Sequence, residues 1–179
     1  SDTTWRDSYI RLKISKLTAF SSHDVTHVTN GQIPRTPALK LAYEGTLPVF
    51  KWTSLVDASL NSNNPCGAGA VAAPPGGADA THSGSIKAAS STRIITVDTR
   101  LLSADKTFAV CFASLLGNQY DTWYDAGIRL TVSQIDGVVY GDPVAKTLLP
   151  PNTRPSTNTL PQVANRVLRY TGGLATGKW

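Results

Sequence analysis

The sequence predicts an all-β protein, and three observations carry that prediction. Apolar and polar residues alternate at period two in several short stretches, most clearly Ile10, Leu12 and Ile14 against Arg11, Lys13 and Ser15. No stretch sustains a 3.6-residue period with caps at its ends. The composition is 41% hydrophobic and only 16% charged over 179 residues, and it is rich in Thr, Ser, Val, Gly and Pro, as expected of one sizeable core with many turns. The expected architecture is an Ig-like or jelly-roll-like antiparallel β-sandwich with long loops and an extra C-terminal strand segment.

Taken in order, residues 8–17 read as a strand with Ile10, Leu12 and Ile14 inward and Arg11 and Lys13 outward. Residues 18–36 read as a polar connection with a turn at Asn30-Gly31. Leu39 to Trp52 gives two short strands broken near Glu44-Gly45, and 53–60 fits either a strand or a helical turn. Residues 61–84 are dominated by Asn, Gly, Ala, Pro and Ser, which predicts a long surface loop that does not order itself. The β-branched stretch 93–98 and the apolar stretch 107–116 are strands separated by a turn at 103–106. A further strand spans 127–135, with 138–140 extending it. Five prolines between Pro143 and Pro161 mark a Pro-rich linker over 146–161, and 162–179 forms a last strand segment.

The chain repeats itself. Trp5, Asp7, Ile10, Arg11, Leu12 and Ser15 recur as Trp123, Asp125, Ile128, Arg129, Leu130 and Ser133, offset by 118, with Ile14 becoming Val132. Leu41, Tyr43, Gly45, Leu47 and Trp52 recur as Leu168, Tyr170, Gly172, Leu174 and Trp179, offset by 127. Residues 1–52 and 119–179 are therefore two copies of one half-unit, and 53–118 occurs once. The sandwich is expected within 1–145, leaving a surplus half-unit that cannot bury its apolar face alone. The surplus copy is expected to be the second, from Gln119 onward, with 162–179 docking on a neighbouring unit by strand donation. A head-to-tail contact that does not close into a ring makes a filament. The alternative is that both copies pack within one pseudo-symmetric sandwich.

Two cysteines, Cys66 and Cys111, fall in the low-complexity loop and in a core strand. A bridge between them would pin that loop and imply an oxidising compartment; the alternative is two free thiols. The chain opens on Ser1 and contains no Met, which fits a processed protein or a window on a longer tandem array.

The segment Phe108-Ala109-Val110-Cys111-Phe112-Ala113, a Gly/Asn spacer, and Thr122-Trp123-x-Asp125-x-x-Ile128-Arg129-Leu130 resemble β-sandwich repeats of extracellular fibril and cell-surface proteins of environmental microbes. Thr4 to Leu12 is the second copy of that pattern. The resemblance implies a structural role outside the cell, not a catalytic one.

Little else carries chemistry. The net charge of +5 is scattered, without a basic cluster interleaved with aromatics, which argues against nucleic-acid binding. No apolar run is long enough to span a membrane. His23 and His27 lie four apart, but in a stretch that reads as polar loop, so no metal site is expected. Asp7–Arg11 and Asp125–Arg129 fit structural ion pairs. No nucleophile elbow, phosphate loop or dinucleotide fingerprint is present, and neither an enzyme activity nor a cofactor is expected. No Asn-x-Ser/Thr sequence occurs, although the Pro-rich linker could take O-linked sugars. The four tryptophans suit core or inter-unit packing; sugar stacking in a carbohydrate-binding module is the alternative function. The sequence thus leads to a subunit of an extracellular filament or surface layer whose partners are copies of itself.

Overall fold

The computed structural model describes residues 4–22, 25–140, 146–148, 162, 164–165 and 167–175. Strands β1 (Leu17–Ser22), β2 (Val25–His27), β4 (Leu39–Gly45) and β7 (Ile94–Val97) form one antiparallel sheet in the order β2-β1-β4-β7. A second sheet has the order β3-β9-β8-β5-β6, from β3 (Asn30–Ile33), β5 (Trp52–Asp57), β6 (Ile86–Lys87), β8 (Thr107–Ala113) and β9 (Trp123–Val132). The two share one core: Phe20, Leu41 and Tyr43 from the first sheet meet Leu55, Phe108, Ile128 and Leu130 from the second. The fold is a β-sandwich, mixed rather than purely antiparallel, because β3 runs parallel to β9.

The second sheet is covered on both faces, which is why β8 reads as an unbroken apolar run. Phe108, Val110 and Phe112 point into the sandwich core, while Ala109, Cys111 and Ala113 face a smaller cluster with Cys66, Ala72 and Ala73. The small side chains let residues 60–73 lie close against the strand. Cys66 and Cys111 are bonded to each other, with Cα atoms 5.4 Å apart. The expected self-disordering loop 61–84 is thus corrected. It holds short turns at Leu60–Asn63, Pro65–Gly67 and Gly69–Ala72, and Ala72 is fully buried. Further on, the Asp79 carboxylate accepts from the backbone of Thr81 and His82 at 2.6 and 2.8 Å. Ser83 then donates its backbone N–H to Leu55 O at 2.9 Å, fixing this part of the loop against β5. Asp57, buried at the end of β5, is paired with Lys106 and accepts from the Ser59 hydroxyl at 2.8 Å.

Three other expectations change. The connection 18–36 contains β1, β2 and β3, because Leu17, Phe20 and Ile33 are core residues hidden among polar ones. Residues 138–140 do not extend the repeated strand. After a corner at Ser133 the chain leaves the sandwich, and β10 (Ile135–Tyr140) pairs antiparallel with β11 (Lys146–Leu148) and β12 (Leu168–Gly172) in a separate sheet. The last strand of the two sandwich sheets ends at Val132, residues 146–148 form a strand, and β12 pairs with β10 of the same chain. Finally, residues 8–15 form no strand at all.

Candidate assembly interface

The half-unit repeat is legible in three dimensions, and its two copies meet different fates. β9 is a central strand, flanked by β8 and β3, with Ile128, Leu130 and Val132 buried. Residues 5–15, which carry the same pattern, form an arm that pairs with no sheet among the described residues. Trp5 is 98% exposed where Trp123 is 4% exposed, and Leu12 is 89% exposed where Leu130 is fully buried. Ile10 and Ile14 are exposed as well, so the inward face expected of this stretch is bare. It is the first copy of this strand, not the one beginning near Gln119, that lies outside the sandwich sheets.

The arm nevertheless holds the local shape of β9. Arg11 grips Asp7 with two hydrogen bonds of 2.8 and 2.7 Å, and Arg129 grips Asp125 with the same two distances. The Asp7 carboxylate also accepts from Tyr9 N–H at 2.8 Å, as Asp125 does from Gly127 N–H at 2.7 Å. These turns place Tyr9 and Gly127 in the left-handed region, at φ 58° and 79°. In β9 this is a bulge, where Ala126, Gly127 and Ile128 stand opposite Val110 alone. At the far end, Ser15 and Ser133 each bond across the corner, accepting from the backbone of Leu17 and Ile135 at 3.1 Å in both cases. Short-range hydrogen bonds therefore write the bulge and the corner without help from a sheet. A Cβ added at Gly127 would meet nothing within 4 Å, so the position does not itself demand glycine for space.

The ion pairs are set electrostatically in the same way. The Arg11 guanidinium, with the Tyr9 amide, holds the Asp7 carboxyl below its ordinary value, and Asp7 in turn raises Arg11. For Asp125 burial pushes the carboxyl up, but Arg129 and the Gly127 amide outweigh it and the net direction is down.

The C-terminal sheet is the second surplus part. Val138 pairs with Tyr170 as Phe20 pairs with Tyr43, and Ile135 with Gly172 as Leu17 with Gly45. The Tyr170 hydroxyl donates to Ala175 O at 3.1 Å, just as Tyr43 donates to Pro48 O at 2.6 Å. Yet among the described residues no strand equivalent to β7 flanks β12, and no second sheet covers its face. Leu168 is 49% exposed where its counterpart Leu41 is fully buried, and Ile135 and Tyr170 are exposed too.

The remaining predicted residues fall in three places. Trp123 is buried and donates its indole N–H to Asn118 O at 3.0 Å. Trp52 is half-buried, its ring close to Gly117 and 5.2 Å from the Lys87 ammonium. Trp179, like His23 and Asp24, lies outside the described residues. His27 is buried on β2, and its Nε2 has no hydrogen-bond partner among the described residues. Among the described residues no group of three His, Cys, Asp or Glu side chains could hold a metal, and no helix is long and apolar enough to cross a membrane.

A groove of about 740 Å³ runs between arm residues 13–16 and the start of β9. Its aromatic, Tyr124, is half-buried against the sandwich core and has the Lys13 ammonium 5.0 Å above the ring. Its carboxylates are already engaged: Asp121 accepts from the amides of Gly117 and Thr122 at 2.8 and 2.7 Å, and Asp125 holds Arg129. A sugar would find neither an open aromatic face nor an unengaged acid there. Sequence reasoning missed this groove, because Lys13 and Tyr124 come together only through the path of the arm.

No protein-family model, no curated protein and no solved structure matches the chain.

Proposed function

We propose that this chain is a structural subunit of an extracellular filament or surface layer, assembling head-to-tail by giving a strand to a neighbouring copy. One observation carries the proposal: the same amino-acid pattern occurs once as a buried central strand and once as an exposed arm already shaped for that role. Four large apolar side chains on one short arm, Trp5, Ile10, Leu12 and Ile14, are exposed, and a soluble surface has no use for them unless they are covered. Burying them is worth about 1.5–3 kcal/mol each. That sum is similar in size to the ~4–15 kcal/mol cost of association, so a single joint is modest in strength and assembly depends on concentration. The buried Cys66–Cys111 bond supports an oxidising compartment.

A carbohydrate-binding module is the competing class, and the engaged groups of the groove favour it less. Negative-stain microscopy across a concentration series tests the proposal. Uniform filaments that shorten on dilution are expected. A monodisperse particle at every concentration, with affinity for a polysaccharide, would overturn it.

A further inference from the structure

Resting on the head-to-tail reading, we infer that the arm of one copy lies on the open face of another copy's C-terminal sheet. The molecule contains its own template for that joint. Within the sandwich, Ile128, Leu130 and Val132 of β9 pack in one core with Leu17, Leu41 and Tyr43 of the first sheet. Ile10, Leu12 and Ile14 are the second set of the former, and Ile135, Leu168 and Tyr170 are the second set of the latter. All six are exposed. Each surplus part is thus the counterpart of what the other surplus part lacks.

Chain order gives the direction. The first sheet, β2-β1-β4-β7, is covered by β5, β8 and β9, and of these β9 comes from the half-unit that follows it. By the same rule the second sheet, β10 to β12, takes its covering strand from the half-unit that comes next, which is the arm of the following copy. The arm does not displace β9 from its own sandwich. β9 reaches β8 through the short connection 114–122, and that tether gives it an effective concentration no separate strand matches. The open sheet follows β9 after Ser133 and Gln134, so the joint continues the interface the sandwich already uses. The clasp between Asp7 and Arg11 is already closed in the arm, so that turn need not be ordered on docking.

The experiment uses two full-length variants. Leu12→Asp with Ile14→Asp disables the arm, and Leu168→Asp with Tyr170→Asp disables the sheet face. All four residues are at least partly exposed, so both variants are expected to keep the wild-type circular dichroism; should the second lose it, Leu168→Ser with Tyr170→Ser takes its place. Sedimentation velocity is then read on each variant and on an equimolar mixture. The expected result is polymers for the wild type, monomers for each variant alone, and discrete dimers for the mixture, because one good arm then meets one good sheet. A folded sheet variant that still polymerises overturns the inference, and so does a mixture that stays monomeric. In either case wild-type filaments leave the filament proposal standing. A wild type that never assembles overturns the filament proposal itself.

Discussion

Leu12 and Leu130 occupy the same place in two copies of one pattern, so truncating each to alanine separates sequence from environment. Leu130 is fully buried between the sheets beside Phe108 and Ile128. Removing its side chain loses the transfer free energy and leaves a cavity in a closely packed core, which costs about 2–5 kcal/mol. At the middle of that range, a protein of this size loses roughly 10 °C in Tm. Leu12 is 89% exposed, and its truncation changes monomer stability by no more than about 0.5 kcal/mol. The assay is urea unfolding at a concentration where the wild type is monomeric, followed by sedimentation at high concentration. Leu130→Ala is expected to lower the unfolding midpoint, while Leu12→Ala leaves it in place and weakens assembly. If Leu12→Ala costs the dilute monomer ~2 kcal/mol or more, the arm is packed within its own sandwich and the reasoning fails. A loss below ~1 kcal/mol for Leu130→Ala would remove β9 from the core.

Further outcomes are expected. Replacing Cys66 and Cys111 together by alanine opens a loop with a sequence separation of 45, and the chain-entropy relation puts the loss at about 4 kcal/mol, read as a fall in the urea midpoint. Gly45→Ala places a Cβ 2.4 Å from the Lys16 carbonyl at φ +115°, whereas Gly127→Ala at φ +79° meets open space, so calorimetry should show a clearly larger Tm loss for the first. Stability should also fall with acid in two windows, followed by urea midpoints between pH 7 and 2. Burial keeps the His27 ring neutral below its ordinary pKa of 6.5, so the unfolded chain takes up that proton first and stability drops as pH falls below 6.5; His27→Gln removes this step. Asp79 is held at about 2 despite desolvation, by hydrogen bonds from Thr81 and His82, against 3.8 in the unfolded chain. Its contribution is complete above pH 3.8 and is lost as pH falls towards 2.

Much of the fold was legible in the residues, and the failures have identifiable causes. β8 announced itself as an apolar run because both of its faces are covered. β1 did not, because Leu17, Ala19 and Phe20 are interrupted by a bulge near Thr18 that breaks the period of two. The loop around Cys66 looked too polar to order, yet its alanines fit a face of β8 that carries only small side chains. The arm misled in the opposite sense: it has the alternation of a half-buried strand and, among the described residues, no sheet that buries it.

What the sequence by itself determined is the repeat and its local chemistry. The Asp–Arg clasp, the left-handed bulge and the serine corner form in both copies because each closes within a few residues. The tertiary structure alone decided which copy became the central strand. β9 follows β8 across a short connection and pairs as a hairpin neighbour, whereas the arm runs straight into β1, which belongs to the opposite sheet. Alternation states that a face can be buried. Only the path of the rest of the chain determines whether the partner that buries it lies in the same molecule or, as proposed for the arm, in the next copy.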